Sequence, residues 1–189
     1  GDLTTDYADI FDSTTNNNDG ELGSTGTSGT NQPALSSGIA GKSRYFDGGD
    51  YIRVVGNSST FLSNLSQLTI DGWIYPTSLQ TLMTIYSANK DNTSGRVSLL
   101  LTQSSGKYYL YGAVRPETNG WITGTKEVTL NQWHHVAMVF TQNQQIQLYL
   151  DGILDNSTSV TNNPSSSDQD TAYIGAYRQA TNPYFGKID

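Results

Sequence analysis

The chain has two histidines, His134 and His135, side by side in NQWHHVAMVFTQNQQIQLYLDG (131–152) and next to Trp133. Imidazole is the side chain best suited to proton transfer or metal ligation near neutral pH. The neighbours argue for a humbler role. Val136, Ala137, Met138, Val139 and Phe140 follow without helical spacing and stop at the turn residues QNQ, the pattern of an interior strand. Adjacent side chains on a strand point to opposite faces, so His134 and His135 cannot chelate one ion together. Each is expected to pack in the strand with a hydrogen bond. No Cys is present, which excludes disulfides and cysteine zinc sites.

Carboxylates are the other groups with chemistry. A retaining glycosidase needs two of them about 5 Å apart on one face. No E-x-D-x-E run occurs, and Glu117 and Glu127 stand alone. Asp19-Gly-Glu21 and Asp168-Gln-Asp170 have the spacing but read as loops. The sugar-lyase pattern is absent, since residues 145–147 are Q-I-Q, and so is the G-x-S-x-G nucleophile motif. The expectation is a chain without a catalytic centre.

The elements that position these residues are strands. No segment has sustained helical periodicity. Strand-like runs recur at 43–55, 68–75, 82–89, 96–103, 107–115, 133–141, 145–152 and 171–178, separated by GGD, DNTSG, SSG, QNQ, DG and NPSSSDQD. The runs 133–141 and 145–152 form one hairpin, with Asp151-Gly152 as a turn dipeptide beyond it. Many short strands between such turns indicate an all-β fold, an antiparallel two-sheet sandwich or jelly roll. The 189 residues share one texture, which is most simply a single domain over 1–189. The formal net charge is −7 with 14% charged residues, and the basic residues are scattered from Lys42 to Lys187. Nucleic-acid binding, which needs clustered Lys and Arg, is disfavoured. No apolar run approaches 18 residues, so membrane insertion is not expected.

Five segments then resemble one family, in order. W-H-H-V-A-M-V-F with I-Q-L-Y-L-D-G resembles the W-x-H-V-A…L-Y-x-D-G hairpin of laminin-G-like, concanavalin A-like jelly rolls. DSTTNNNDGEL (12–22), GIAGKSRYFDGGDYIRV (38–54), LTIDGWIYP (68–76) and AYIGAYR…YFGKID (172–189) are similar to its other motifs. The resemblance implies a concanavalin A-like sandwich but no single function, since the fold hosts many. It also implies a final strand beyond the G-x-I-D motif and a longer first strand, so the chain reads as a module cut from a longer protein, with neighbouring domains, or as one whose ends pair with something else.

Three function classes stand against one another: a non-catalytic binding module for a glycan, a polysaccharide or a surface glycoprotein; a spacer of an adhesin, surface-layer protein or virion appendage; and, behind both, a glycoside hydrolase or polysaccharide lyase. All imply an extracellular, cell-surface or virion-surface location. Sugars are held by aromatic faces and by amide and carboxylate hydrogen bonds. In KYYLYGAVR, Tyr109, Tyr111 and Arg115 share the face opposite Leu110 and Val114. Trp121 follows in the polar loop ETNGWITG, and Tyr177 and Tyr184 lie near the last loop. These six are the candidate ligand contacts. Trp73 and Trp133 are expected to be mostly buried and Trp121 mostly exposed.

The opening loop DSTTNNNDG offers Asp12, Asn17 and Asp19 among backbone carbonyls, the mixed oxygen set that calcium takes. In the resembled family this loop and the closing I-D segment hold a structural calcium, which brings in Asp189. Asp168 and Asp170 form a lesser second set. A self-capped Asn-rich turn is the alternative for the opening loop.

Overall fold

The computed structural model describes residues 10–15, 18–23, 31–55, 65–78, 80–88, 97–114, 120–161, 171–177 and 181–189. Among them are fourteen strands and no α-helix, hence no helix long and apolar enough to cross a membrane. The strands form two antiparallel sheets of seven. The first runs β1 (Gly20–Leu22), β4 (Ile52–Val55), β13 (Thr171–Ile174), β6 (Leu82–Ala88), β7 (Val97–Ser104), β8 (Lys107–Val114) and β9 (Trp121–Thr123). The second runs β12 (Ile153–Ser159), β11 (Gln145–Leu150), β10 (His134–Thr141), β5 (Gln67–Pro76), β14 (Phe185–Ile188), β3 (Lys42–Asp47) and β2 (Ala34–Ser37). The expected sandwich is present.

Alternation builds the core. Val97, Leu99 and Leu101 of β7 and Leu110 of β8 face Val136, Met138 and Phe140 of β10 and Ile146 and Leu148 of β11, all at 0% exposure. The expected hairpin forms with Val136 opposite Leu150 and Phe140 opposite Ile146. Ser105-Gly106 and Asp151-Gly152 each have two positive φ angles (51° and 78°, 52° and 77°), the signature of type I′ turns, and join β7 to β8 and β11 to β12. At Gly112 in β8 a Cβ would lie 2.8 Å from Met138 Sδ and 3.0 Å from Leu148 Cδ2, so the missing side chain lets the sheets close here.

Two expectations need correction. The run 43–55 is not one strand. It turns at Asp47–Asp50, where Gly48 has φ 98°, and its halves β3 and β4 lie in different sheets. Trp73 is not mostly buried. It is 37% exposed, because Ile70 and Ile74 take the inner face of β5 and alternation turns Trp73 and Tyr75 outward. Trp133 is half-buried against Tyr75, with ring centroids 5.5 Å apart, and Trp121 is 47% exposed.

Candidate functional site

His134 and His135 point to opposite faces. The His134 ring is buried, with Nδ1 donating to Asp151 Oδ2 at 2.9 Å and Nε2 lying 2.8 Å from Thr129 Oγ1. The second oxygen of Asp151 accepts the His135 backbone N–H at 3.0 Å. The His135 ring packs edge-on against Trp73, its cross-strand partner, at 5.2 Å. The Thr129–His134–Asp151 chain has the connectivity of a nucleophile relay, but none of the recesses described below opens on Thr129.

The acidic residues serve turns. Asp12 accepts the N–H groups of Thr14 (2.8 Å) and Asn18 (3.0 Å) and the Thr14 hydroxyl, while Asp19 accepts the Asp12 N–H at 2.7 Å. The Asn18 and Thr14 bonds hold the Asp12 carboxyl below its usual range. Asp189 Oδ2 accepts the Ile39 N–H at 2.6 Å and caps the turn before β3. Asn17, Asp168 and Asp170 lie outside the described residues. Among the described residues no group of three His, Asp or Glu is placed to hold a metal. Glu21 lies in β1 rather than in a loop, and pairs with Arg53 at 2.8 Å. A close carboxylate pair does occur in the β3–β4 turn: the Asp47 N–H donates to Asp50 Oδ2 at 2.8 Å, and burial pushes the Asp50 carboxyl up to about 6. Raised carboxyls are a mark of general acids, yet Asp50 is buried within the turn and lines none of the recesses described.

The aromatic candidates are more productive. Tyr109 and Tyr111 point to the outer face of the first sheet, half-buried, while Tyr108, Leu110 and Val114 point inward. On the neighbouring strand β9, Thr123 lies opposite Tyr111 and Trp121 opposite Ala113, so Tyr111 and Trp121 are diagonal neighbours on one face. Their rings stack with centroids 6.2 Å apart and an interplanar angle of 16°.

Beside this pair is a recess of about 340 Å3 lined by Leu82, Leu100, Tyr111, Tyr177 and Asn182. Its floor is Leu82 of β6 and Leu100 of β7. Leu100 faces away from the core but is 3% exposed. Its wall is the segment after β13, docked on a bulge in β6. The Gly175 N–H donates to Ile85 O at 3.1 Å, and the Thr84 N–H to Asn182 O at 3.0 Å. Tyr177 and Thr181 exchange backbone bonds of 2.8 and 3.1 Å, which hold the Tyr177 ring at the rim. Gly175 permits the entry: its φ is +82°, and a Cβ would lie 2.3 Å from the Phe46 ring.

Among the described residues no charged side chain lines the recess. Lys107 Nζ lies 2.6 Å from Glu127 Oε2, and that carboxylate holds Lys107 above its usual range.

The structure therefore unites Tyr111, Tyr177 and Trp121 on one face. Tyr109 shares the face but lies outside the recess, beside Thr102. Tyr184 is a correction: it is fully buried, edge-on to Phe46 at 6.1 Å, because its N–H to Gly175 O bond turns the chain back into the core. Arg115 lies outside the described residues. Leu82, Leu100 and Asn182 were not anticipated. The consecutive leucines 99–101 carry a signal for Leu100, since one of three adjacent strand leucines must face outward. A second aromatic row was missed on the outer face of the other sheet, where Trp73 and His135 flank the Tyr75–Trp133 pair and Lys187 lies 5.6 Å over Tyr75.

The fold is shared with solved structures. Domain 4 of AbnA, a GH43 extracellular arabinanase from Geobacillus stearothermophilus solved in complex with arabinotriose, is similar with a TM-score of 0.68 and 22% identity over 90% of this chain and 79% of that one. A heptameric SAP-like pentraxin from Limulus polyphemus is similar at 0.59 and 21%, over 77% of this chain and 71% of that one. The binding domain of botulinum neurotoxin DC, solved in complex with SialylT, is similar at 0.64 and 14%, over 94% of this chain and 42% of that one. A search of curated proteins found no match. A laminin G sequence profile described as the concanavalin A-like lectin/glucanases superfamily matches residues 46–189. With that match and the sandwich of two antiparallel sheets, one of which carries Tyr111 and Trp121, the chain belongs to the concanavalin A-like lectin/glucanases superfamily.

Proposed function

We propose that this chain is a non-catalytic extracellular binding module whose ligand is a neutral carbohydrate. The observation that carries the reading is the stacked Tyr111–Trp121 pair beside a recess walled by Tyr177 and Asn182 and lined, among the described residues, by no charged side chain. The C–H face of a sugar ring lies on an aromatic face, and the Asn182 amide offers both a donor and an acceptor to its hydroxyls. Burying about 40–60 Å2 of apolar surface against one ring contributes roughly 1–1.5 kcal/mol. The arabinotriose complex of the arabinanase domain supports the same ligand class. The Thr129–His134–Asp151 chain and the Asp47–Asp50 pair lie away from this recess, which supports binding without turnover.

The test is a glycan array probed with the wild-type chain, Trp121→Ala and Trp73→Ala. Binding lost with Trp121→Ala and kept with Trp73→Ala supports the reading. Loss with Trp73→Ala alone moves the site to the other sheet. Binding to no glycan favours a spacer, and hydrolysis of an arrayed glycan overturns the non-catalytic part.

A structural calcium ion in the 12–19 loop belongs to the same proposal. Asp12 and Asp19 flank one turn, and the remaining oxygens would come from backbone carbonyls and Asn17. The direct bonds that already close this turn make the ion an addition to its order rather than its sole cause.

A further inference from the structure

We propose that the ligand is an internal stretch of a linear, neutral polysaccharide, which leaves the recess across Trp121 and continues over the edge of the sandwich into a cleft between the two sheets. This rests on the carbohydrate reading above.

The cleft has a volume of about 640 Å3 and is lined by β9 on one side and residues 156–159 of β12 on the other. These are the edge strands of the two sheets on the same side of the sandwich. Trp121 lines the cleft and Tyr111 lines the recess, while their rings stack on each other. The two concavities thus share one aromatic ridge, whose 6.2 Å centroid separation is about the length of one sugar residue.

The cleft is rich in hydrogen-bonding groups and, among the described residues, carries no charged side chain. Gly120 O accepts from Val114 and the Gly124 N–H donates to Leu110 O, so the even-numbered residues of this stretch bond to β8. Trp121 and Thr123 therefore turn their backbone groups toward the cleft. Opposite them, Ser157, Thr158 and Ser159 bring hydroxyls, each able to donate and accept. A hydroxyl- and amide-lined cleft beside an exposed indole matches a sugar chain.

Free strand edges also accept peptide strands. Here the Asn156 Nδ2 donates to Thr123 O at 2.8 Å and bridges the two edges. That bond occupies an acceptor an added strand would need and crosses its path, so the geometry favours the glycan.

The experiment is calorimetry with two-unit and six-unit members of the arabinan, xylan, cellulose and laminaran series. For at least one series the six-unit chain should bind ten-fold or more tightly than the two-unit one. Ser157→Trp, which fills the cleft, should bring that ratio near one; Ser159→Trp serves if the first variant fails to fold. Equal affinity for both lengths in the wild type, or a ratio unmoved by either folded variant, overturns the inference. Two-unit binding that depends on Trp121 without any length effect sinks this inference and leaves the carbohydrate reading standing. Binding of no series, with a blank glycan array, removes both. An extended peptide retained where every glycan fails would assign the cleft to strand addition instead.

Discussion

His134 Nδ1 lies 2.9 Å from Asp151 Oδ2, and the same carboxylate accepts the His135 backbone N–H. One turn residue thus ties the start of β10 to the end of β11, which gives the W-x-H and D-G halves of the hairpin motif a shared purpose. Removing Asp151 leaves a buried imidazole nitrogen without its acceptor. Asp151→Ala should cost about 1–3 kcal/mol in urea denaturation, and His134→Ala should cost more because it also vacates buried volume. Unchanged stability for both would mean that the relay has no structural role.

Trp121 and Tyr111 should be separable from stability. Trp121 is 47% exposed, so Trp121→Ala should lower the melting temperature little while weakening glycan binding about five- to tenfold. Tyr111→Ala should weaken binding at least as much, since it removes both a recess wall and the support of the indole. Titration by intrinsic tryptophan fluorescence checks the first; a large fall in melting temperature would show that the indole is a packing residue.

Asp50 should give the fold a pH dependence of unusual sign. Its carboxyl is pushed up to about 6 by burial first; the Asp47 N–H acts downward and the Asp47 carboxylate upward. The folded chain therefore holds the proton more tightly than the unfolded chain between about pH 4 and 6. Stability should fall as pH rises through that window, by roughly 1–3 kcal/mol, and level off above it. Asp50→Asn keeps an oxygen for the Asp47 N–H and should flatten the slope. Asp12, held below its usual range by its hydrogen bonds, acts the other way and loses its contribution as pH falls through its folded value.

Gly175→Ala should destabilise by about 1–3 kcal/mol, through both its +82° φ and the clash with Phe46. Because Gly175 docks the segment carrying Tyr177 and Asn182, the variant should also lose glycan affinity. Loss of stability with full affinity would place the ligand elsewhere.

Millimolar calcium should raise the melting temperature of the wild type and not of Asp12→Ala or Asp19→Ala, by binding the folded state alone. The same melting temperature in EDTA and in calcium for all three would remove the ion from the proposal.

Alternation along single strands was legible before any tertiary contact. A period of two assigns faces locally, so Leu110 and Val114 inward and Tyr109 and Tyr111 outward follow from β8 alone. The opposition of His134 and His135 and the Asp151-Gly152 turn follow for the same reason, since strand faces and turn dihedrals are set within a few residues. What one strand cannot say is which outer face a residue reaches and what crosses it. Trp73 reads as a buried strand tryptophan and Trp121 as a loop one, yet both lie on outer strand faces, and only sheet membership sets one beside His135 and the other on Tyr111. Tyr177 and Tyr184 lie seven positions apart near one loop, yet one walls the recess and the other fills the core. That division depends on a bulge in β6 that frees Thr84 N–H and Ile85 O for the returning chain. Asn182 and the cleft between β9 and β12 arise from pairings across scores of residues, and such long-range registry exists only once the two sheets have closed on their shared core.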